Sequence, residues 1–503
     1  MISVENNCIV ETSYGKVRGY SRRGVIKFKG IPYAAPPIGE LRFKPPAPVE
    51  QWGEVRDATK YSSVSIQSPS NLDSLFGGEP LPQSESDCLT LNIWTQRLEG
   101  EKRPVMFWIH GGGFLMGNGA SNDGSRLVLR GDVVVVSINY RLGYLGFFFM
   151  PDMSDTTANA GLLDMVAALK WVKENISRFG GDSNNVTIFG ESAGGNAVTS
   201  ILAMPSAKGL FHRAISQSGA PNKFSYNTVL ALEVYENLIQ RLGVEKGDIE
   251  TLRKLPAKDF IVPQMNMSES RPGGLIVGPV VDNSTLPEHP LSAISKGFAK
   301  DIDVFIGSNL DEYKLFIMRT PKAFELTEDK LYKTVNLFMR FTKQKETKSK
   351  EMIDSYRELR KTPRDITDAI LTDYMFRIPS IRLAEEQSKH QKNIYMYLFT
   401  WQSPFNGGKY GAMHALELPF VFGLLGDKNM WIFPRRNKET QKLSEQMMDA
   451  WIAFARTGNP NHENIPGLSS YDKGKRATIL FDKEITIKHD PYGNERAAWE
   501  GIL

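Results

Sequence analysis

The chain has 503 residues, and its 61 basic side chains nearly cancel 57 acidic ones, leaving a formal charge of +4. With 41% hydrophobic and 23% charged residues it has the composition of an ordinary globular protein, long enough to bury a large core. No long basic block argues for nucleic-acid binding, and no segment reaches the ~18 unbroken apolar residues of a membrane span. The nearest candidate, 132–150, is broken by Asn139 and Arg141. Met1 to Asn7 lacks the basic-then-apolar pattern of a leader, and Trp499 to Leu503 carries no retention or lipidation signal. Only two cysteines, Cys8 and Cys88, are present, which suits a reducing compartment. The expected location is therefore cytoplasmic. The sequons at Asn175, Asn185, Asn266 and Asn283 are not expected to be glycosylated.

The N-terminal part reads as short antiparallel strands, Cys8–Thr12, Gly15–Tyr20 and Val25–Phe28, followed by Cys88–Trp94. The pattern then changes to fully apolar runs of strand length: Val105–Ile109, Val133–Asn139, Val186–Phe189, Ala214–Ser216, Val304–Ile306 and Ile394–Phe399. Such runs suit strands covered on both faces. Between them Leu162, Val166, Leu169, Val172, Ile176 and Phe179 recur at helical spacing, and a second long helix runs through Met448–Phe454. Strands alternating with helices predict an α/β architecture with a mostly parallel sheet. No Pro/Gly/Ser-rich linker divides the chain, so residues 1–503 are read as one elaborated domain. The charged stretch Glu328–Arg364 predicts a helical insertion or cap around 320–390.

The chemistry centres on Ser192, in Gly190-Glu191-Ser192-Ala193-Gly194. The motif follows the apolar strand Val186–Phe189 and precedes a helical stretch, Asn196–Met204. A G-x-S-x-G between a strand and a helix is the setting of a nucleophile elbow. Its glycines permit close packing around a strained serine. A hydroxyl needs a base, an orienting acid and oxyanion donors before it reacts. His110-Gly111-Gly112-Gly113-Phe114, directly after Val105–Ile109, offers a backbone that can approach a developing oxyanion. Gly112 and Gly113 are the expected donors, with the Ala193 N–H as a third, and His110 reads as structural. A phosphate-cradling loop is disfavoured because no Lys-Ser/Thr pair or G-x-G-x-x-G spacing follows. Of the seven histidines, His414 falls late in the chain, as the order serine, acid, histidine requires. The acid lies at the end of the strand Val304–Ile306, where composition leaves Asp311 and Glu312 open. Glu191 and Ser218 are candidate supports of the site, each with a plain reading as a turn residue.

These segments closely resemble the type-B carboxylesterase/lipase family, the cholinesterase-like α/β-hydrolases, nearly from end to end. The resemblance rests on Phe28-Lys29-Gly30-Ile31-Pro32-Tyr33-Ala34, Leu41-Arg42-Phe43, Asp87-Cys88-Leu89-Thr90-Leu91-Asn92-Ile93-Trp94, Asn139-Tyr140-Arg141-Leu142-Gly143, Gly161-Leu162-Leu163-Asp164 and the run ending at Gly194. The His414 segment, continuing to Phe422-Gly423, looks especially like bacterial p-nitrobenzyl-esterase-type members. The resemblance implies the α/β-hydrolase fold, with a large, mostly parallel central sheet, helices on both faces, a small N-terminal antiparallel sheet and a gorge to the serine. It also implies that Glu312, not Asp311, completes the triad. The implied activity is carboxylic ester hydrolysis through an acyl-enzyme on Ser192, with His414 as base and no metal or other cofactor.

The sequence departs from the family in three places. The cysteine that often pairs with the one at Cys88 is missing from Ser63–Gln67, so the loop disulfide is absent and the Ile66–Cys88 loop is expected to be more mobile. The loop also lacks the tryptophan with which cholinesterases hold a quaternary ammonium. Ser86 stands where an acidic residue is common, with Glu85 beside it, which leaves an ion pair to Arg42 open. The expected partner is a small-molecule ester, with no nucleic acid and no membrane anchor, and the expected state is a monomer or small homo-oligomer. The rival readings are a lipase acting on longer-chain esters and a non-catalytic adhesion or scaffold relative. The retained triad argues against the scaffold.

Overall fold

The structure is a computed structural model that describes residues 5–68, 81–151, 155–221, 227–269, 276–318, 325–342, 344–426 and 434–503. Among the described residues, thirteen strands join in a single sheet. They are β1 Glu5–Thr12, β2 Gly15–Arg22, β3 Val25–Pro32, β4 Arg56–Asp57, β5 Thr90–Thr95, β6 Arg103–Ile109, β7 Val134–Ile138, β8 Gly181–Glu191, β9 Arg213–Gln217, β10 Asp303–Asn309, β11 Ile394–Phe399, β12 Ala477–Phe481 and β13 Thr486–His489. The spatial order is β1-β2-β3-β5-β7-β6-β8-β9-β10-β11-β12-β13, with β4 beside β2. From β7 to β12 every pairing is parallel. The N-terminal strands pair antiparallel and continue the same sheet through β3 and β5.

The parallel strands are apolar at consecutive positions because both faces are covered. Along β6, Val105, Phe107 and Ile109 enter one core, whereas Met106 and Trp108 enter the other. The first core takes the predicted stripe of the helix Ala160–Asn175 and its 3-10 extension: Leu162, Val166, Leu169, Val172, Ile176 and Phe179 are all buried. The second takes Leu443, Met447, Trp451 and Phe454 from the helix Lys438–Thr457. That helix opens on a capping box between Asn437 and Thr440 and stops at Gly458, whose φ of +79° admits a left-handed turn. Burying each large apolar side chain contributes about 1.5–3 kcal/mol, so the two faces together fix the sheet that carries the site.

The expected helical stretch after β10 is present as Glu328–Phe341, Thr347–Arg357, Pro363–Thr372 and Ile378–Gln387, with a π-helical turn at Asp373–Arg377. The short strands β12 and β13, the last of which forms the sheet edge, are not among the expected elements. No helix among the described residues is long and apolar enough to cross a membrane. Cys8 and Cys88 are not joined by a disulfide, and burial pushes the Cys88 thiol up to about 12. The expected mobility of the Ile66–Cys88 loop concerns residues 69–80, which lie outside the described residues.

Candidate active site

Ser192 sits between the end of β8 and the helix Ala193–Ile201, with φ +57° and ψ −123°. A non-glycine residue held in that region is strained and persists only where its surroundings fix it. The glycines explain how. A Cβ on Gly194 would lie 2.1 Å from the Ile109 carbonyl oxygen, and one on Gly190 would lie 2.5 Å from the Gly194 carbonyl carbon. The Ser192 N–H donates to the Gln217 carbonyl at 2.9 Å, tying the turn to β9.

The loop after β6 packs directly on this elbow. A Cβ on Gly111 would lie 2.9 Å from Glu191 Oε2 and 3.2 Å from Ser192 Cβ. Gly112 and Gly113 take φ of +106° and +65°, and the Gly112 carbonyl accepts from the N–H groups of Leu115 and Met116. Among the described residues, the N–H groups of Gly112, Gly113 and Ala193 have no acceptor. His110 is buried, stacks on Tyr140 with ring centroids 4.3 Å apart, and bonds through Nδ1 to its neighbour's carbonyl, Gly111 O, at 2.8 Å. Burial pushes its imidazole down to about 4, so it is neutral near pH 7. This agrees with a structural histidine.

His414 lies between carboxylates. Its Nδ1 is 2.5 Å from Glu312 Oε2, and its Nε2 is 3.0 Å from Glu191 Oε1. Glu312 Oε1 in turn accepts the Asn309 N–H at 2.7 Å, which fixes the carboxylate at the end of β10. Asp311 points elsewhere: its Oδ2 accepts the Ala412 N–H at 3.0 Å, and its Oδ1 pairs with Lys314 at 3.0 Å. It thereby ties down the segment leading to His414. Burial pushes the Glu191 carboxyl up while the facing His414 pulls it down, so the two titrate as a coupled pair. Burial opposes protonation of His414, yet the surrounding Glu191 and Glu312 raise it to about 9. The structure thus brings Glu312 and Glu191 to the two nitrogens of one imidazole. Among the described residues Ser192 Oγ makes no hydrogen bond to His414, whose Nε2 lies 3.0 Å from Glu191 Oε1. Phe376, from the π-helical turn, and Phe316 flank the imidazole, with centroids 4.9 and 5.3 Å from it.

Likeness to known proteins runs over nearly the whole chain. The model of the carboxylesterase family matches residues 6–499. The chain is 41% identical to para-nitrobenzyl esterase of Bacillus subtilis (strain 168), covering 97% of each chain. The chain belongs to the carboxylesterase family. Among other family members, it is 34% identical to human cocaine esterase, over 90% of this chain and 82% of that protein. A solved para-nitrobenzyl esterase superposes with a TM-score of 0.88 at 39% identity, covering 97% of this chain and 99% of that one. A carboxylesterase of Geobacillus stearothermophilus gives 0.85 at 38%, covering 98% and 99%. The fold is that of the α/β-hydrolases, and the activity is carboxylic ester hydrolysis by a serine carboxylesterase.

The geometry bears on two readings that the sequence left open. Ser218 is buried with φ +51° and makes a main-chain bond to Gly307, but its hydroxyl has no hydrogen-bond partner among the described residues. The Arg42 ion pair, left open by the sequence, forms with Glu85 in a two-bond fork at 3.0 and 2.5 Å. Glu85 thus takes the acidic role and leaves Ser86 to Ser84.

Sequence reasoning missed the network behind His414. Glu417 is fully buried and accepts from Gln217 Nε2 at 3.0 Å and Asn309 Nδ2 at 2.6 Å, while Gln217 accepts from Trp451 Nε1 at 3.0 Å. These bonds clamp the histidine loop to the ends of β9 and β10. The one available signal was a carboxylate three residues after His414 within an apolar run.

Proposed function

We propose that this carboxylesterase hydrolyses small carboxylic esters with Ser192 as nucleophile, His414 as base, Glu312 as orienting acid, and the N–H groups of Gly112, Gly113 and Ala193 as oxyanion donors. The reading is carried by the 2.5 Å contact between His414 Nδ1 and Glu312 Oε2, beside a strained serine whose neighbouring loop presents unpaired N–H groups. Ser192 Oγ bonds to the ester carbonyl carbon and passes its proton to His414 Nε2. The carbonyl oxygen becomes an oxyanion held by the three N–H groups. The C–O bond to the alcohol then breaks, and His414 returns the proton to the leaving oxygen. Water repeats the sequence on the acyl-enzyme, giving up its proton to His414 and releasing the acid. Nε2 rests on Glu191 in the free enzyme and turns to the Ser192 hydroxyl in the reactive complex, a tightening common between free and substrate-bound sites.

The substrate range is proposed to be broad, since relatives at 32–41% identity are named para-nitrobenzyl esterase, cocaine esterase and phenmedipham hydrolase. Supporting the reading of 320–390 as a cap, Phe376 from that region lies against His414. The protein is proposed to be cytoplasmic, a monomer or small homo-oligomer, and a single catalytic domain. Ser192→Ala tests the assignment: the variant should fold with unchanged circular dichroism and lose p-nitrophenyl acetate hydrolysis by at least about 10³-fold. Retained turnover would remove Ser192 from the mechanism.

A further inference from the structure

The loop that presents Gly112 and Gly113 is held from outside by a side chain that no catalytic role uses. Gln67 is 5% exposed. Its Oε1 accepts the Gly117 N–H at 2.8 Å, and its Nε2 donates to the Gly117 carbonyl at 3.1 Å. A primary amide offers an acceptor and a donor to the N–H and C=O of one residue, so the two bonds close a ring and fix both position and orientation of Gly117. The same Nε2 also donates to Ser65 O at 3.0 Å.

Gly117 in turn packs on the start of the loop. With φ +109°, it has no room for a side chain: a Cβ there would lie 2.5 Å from His110 Nδ1 and 2.6 Å from the Gly111 carbonyl oxygen. Between these ends the turn closes on itself, with the Leu115 and Met116 N–H groups both on the Gly112 carbonyl at 3.0 and 3.1 Å. A Cβ on Gly112 would meet the Met116 carbonyl oxygen at 2.2 Å. A shift of Gly117 therefore passes directly to Gly111, which lies against Ser192, and through Met116 to Gly112.

Gln67 is itself anchored. Its N–H donates to Gln83 Oε1 at 3.0 Å, and beside it the Val64 N–H bonds to Pro82 O and the Ser84 N–H to Val64 O. Ser65 Oγ donates to the Tyr140 carbonyl at 2.6 Å, while Tyr140 stacks on His110 and donates its hydroxyl to the His110 carbonyl. The segment that lacks the family's cysteine is thus fastened by polar bonds on both sides of the oxyanion loop.

We infer that Gln67 is a positioning residue for ester hydrolysis, its amide holding Gly117 so that the Gly112 and Gly113 N–H groups stand where the tetrahedral oxyanion forms. The inference rests on the reading of those two N–H groups as oxyanion donors. Donors that act only on the transition state change turnover rather than ground-state binding. A misplacement of about 1 Å costs up to 10²-fold, and loss of a whole donor costs about 10²–10³.

The test compares Gln67→Met and Gln67→Glu with the parent enzyme in kcat and KM for p-nitrophenyl acetate and in inhibition by an aryl trifluoromethyl ketone. The ketone adds to the serine and places an oxyanion in the hole. Gln67→Met should lower kcat by roughly ten- to a hundredfold, leave KM within about twofold, and weaken the ketone by the same factor as kcat. Gln67→Glu keeps the acceptor for the Gly117 N–H and should fall between Met and the parent. It also supplies the answer if the Met variant fails to fold. Parent-like kcat and ketone affinity in the folded variants overturn the inference, as does a lower melting temperature with both quantities unchanged. Ser192→Ala is assayed alongside. If it still hydrolyses the ester, the underlying reading fails; if it is inert while Gln67→Met and Gln67→Glu behave as the parent, only the role of Gln67 falls.

Discussion

In the proposed mechanism, the loop from His110 to Gly117 on one side of Ser192 works with main-chain N–H groups, and the loop around His414 on the other works with buried charge. The first side holds no ionised side chain at the reacting atoms, and its histidine is neutral. Its function depends on shape, because glycines at 111, 112 and 117 sit where a Cβ would strike neighbouring atoms. The second side gathers Glu191, Glu312 and Glu417 around one imidazole, all nearly inaccessible to solvent. Its function depends on where protons reside. Fixed dipoles need no reorganisation when the oxyanion appears, whereas a base must change charge twice per turnover and needs carboxylates to stabilise its charged form. The two sides should therefore fail in different ways: substitutions in the glycine loop lower turnover at every pH, and substitutions among the carboxylates move the pH dependence as well.

The largest expected effect is on the charged side. Glu312→Gln removes the partner at 2.5 Å from His414 Nδ1 and lets the imidazole adopt the wrong tautomer. Turnover of p-nitrophenyl acetate should fall by about 10³–10⁴. Asp311→Asn removes a charge that binds Ala412 and Lys314 instead, so its kcat should fall by less than about tenfold. Equal losses in the two variants would show that the histidine does not depend on Glu312 in particular.

On the glycine side, Gly112→Ala puts a methyl group 2.2 Å from the Met116 carbonyl, at a φ of +106° that side chains rarely adopt. The turn must open, and kcat should drop by about 10²–10³ with the shape of the pH–rate profile unchanged. A shift in the profile would mean that the two sides are not separable.

How far each side was legible in the sequence follows from the same contrast. The elbow and the glycine loop are local: strand, turn and helix are consecutive, and the need for glycine is written at the positions themselves. The parallel strands were equally legible, since Val105–Ile109 and Ile394–Phe399 are apolar throughout. The charged side joins residues about a hundred positions apart. Asp311 and Glu312 stand side by side at the end of one strand, and only the folded turn directs Glu312 to His414 and Asp311 to Ala412. Gln217 and Asn309 are neutral amides with no sequence signal until Glu417 is placed between them. Gln67 escaped for the same reason, because its partner is a main-chain unit fifty residues on. The strand β12 is only five residues long, and β13 is four residues of which three are polar, so length in the first and polarity in the second hid them.

The smallest effect, and the most direct reading of the charged side, is a shift in pH dependence. As the proposed base, His414 must be neutral to take the Ser192 proton, so kcat/KM should be low where the imidazole is protonated and rise as pH passes its pKa. Against the opposing effect of burial, the charges of Glu191 and Glu312 lift that pKa from 6.5 to about 9. Glu191→Gln keeps the volume but removes the nearer charge at Nε2, so the pKa falls and the acid limb of the profile should move to lower pH by roughly one unit or more. The maximal rate should fall modestly, since the imidazolium of the transition state loses one of its carboxylates. An acid limb that stays in place would mean that Glu191 is uncharged throughout the working range and acts on His414 only as a hydrogen-bonding neighbour. The limb of Gly112→Ala, measured on the same axes, supplies the reference that does not move.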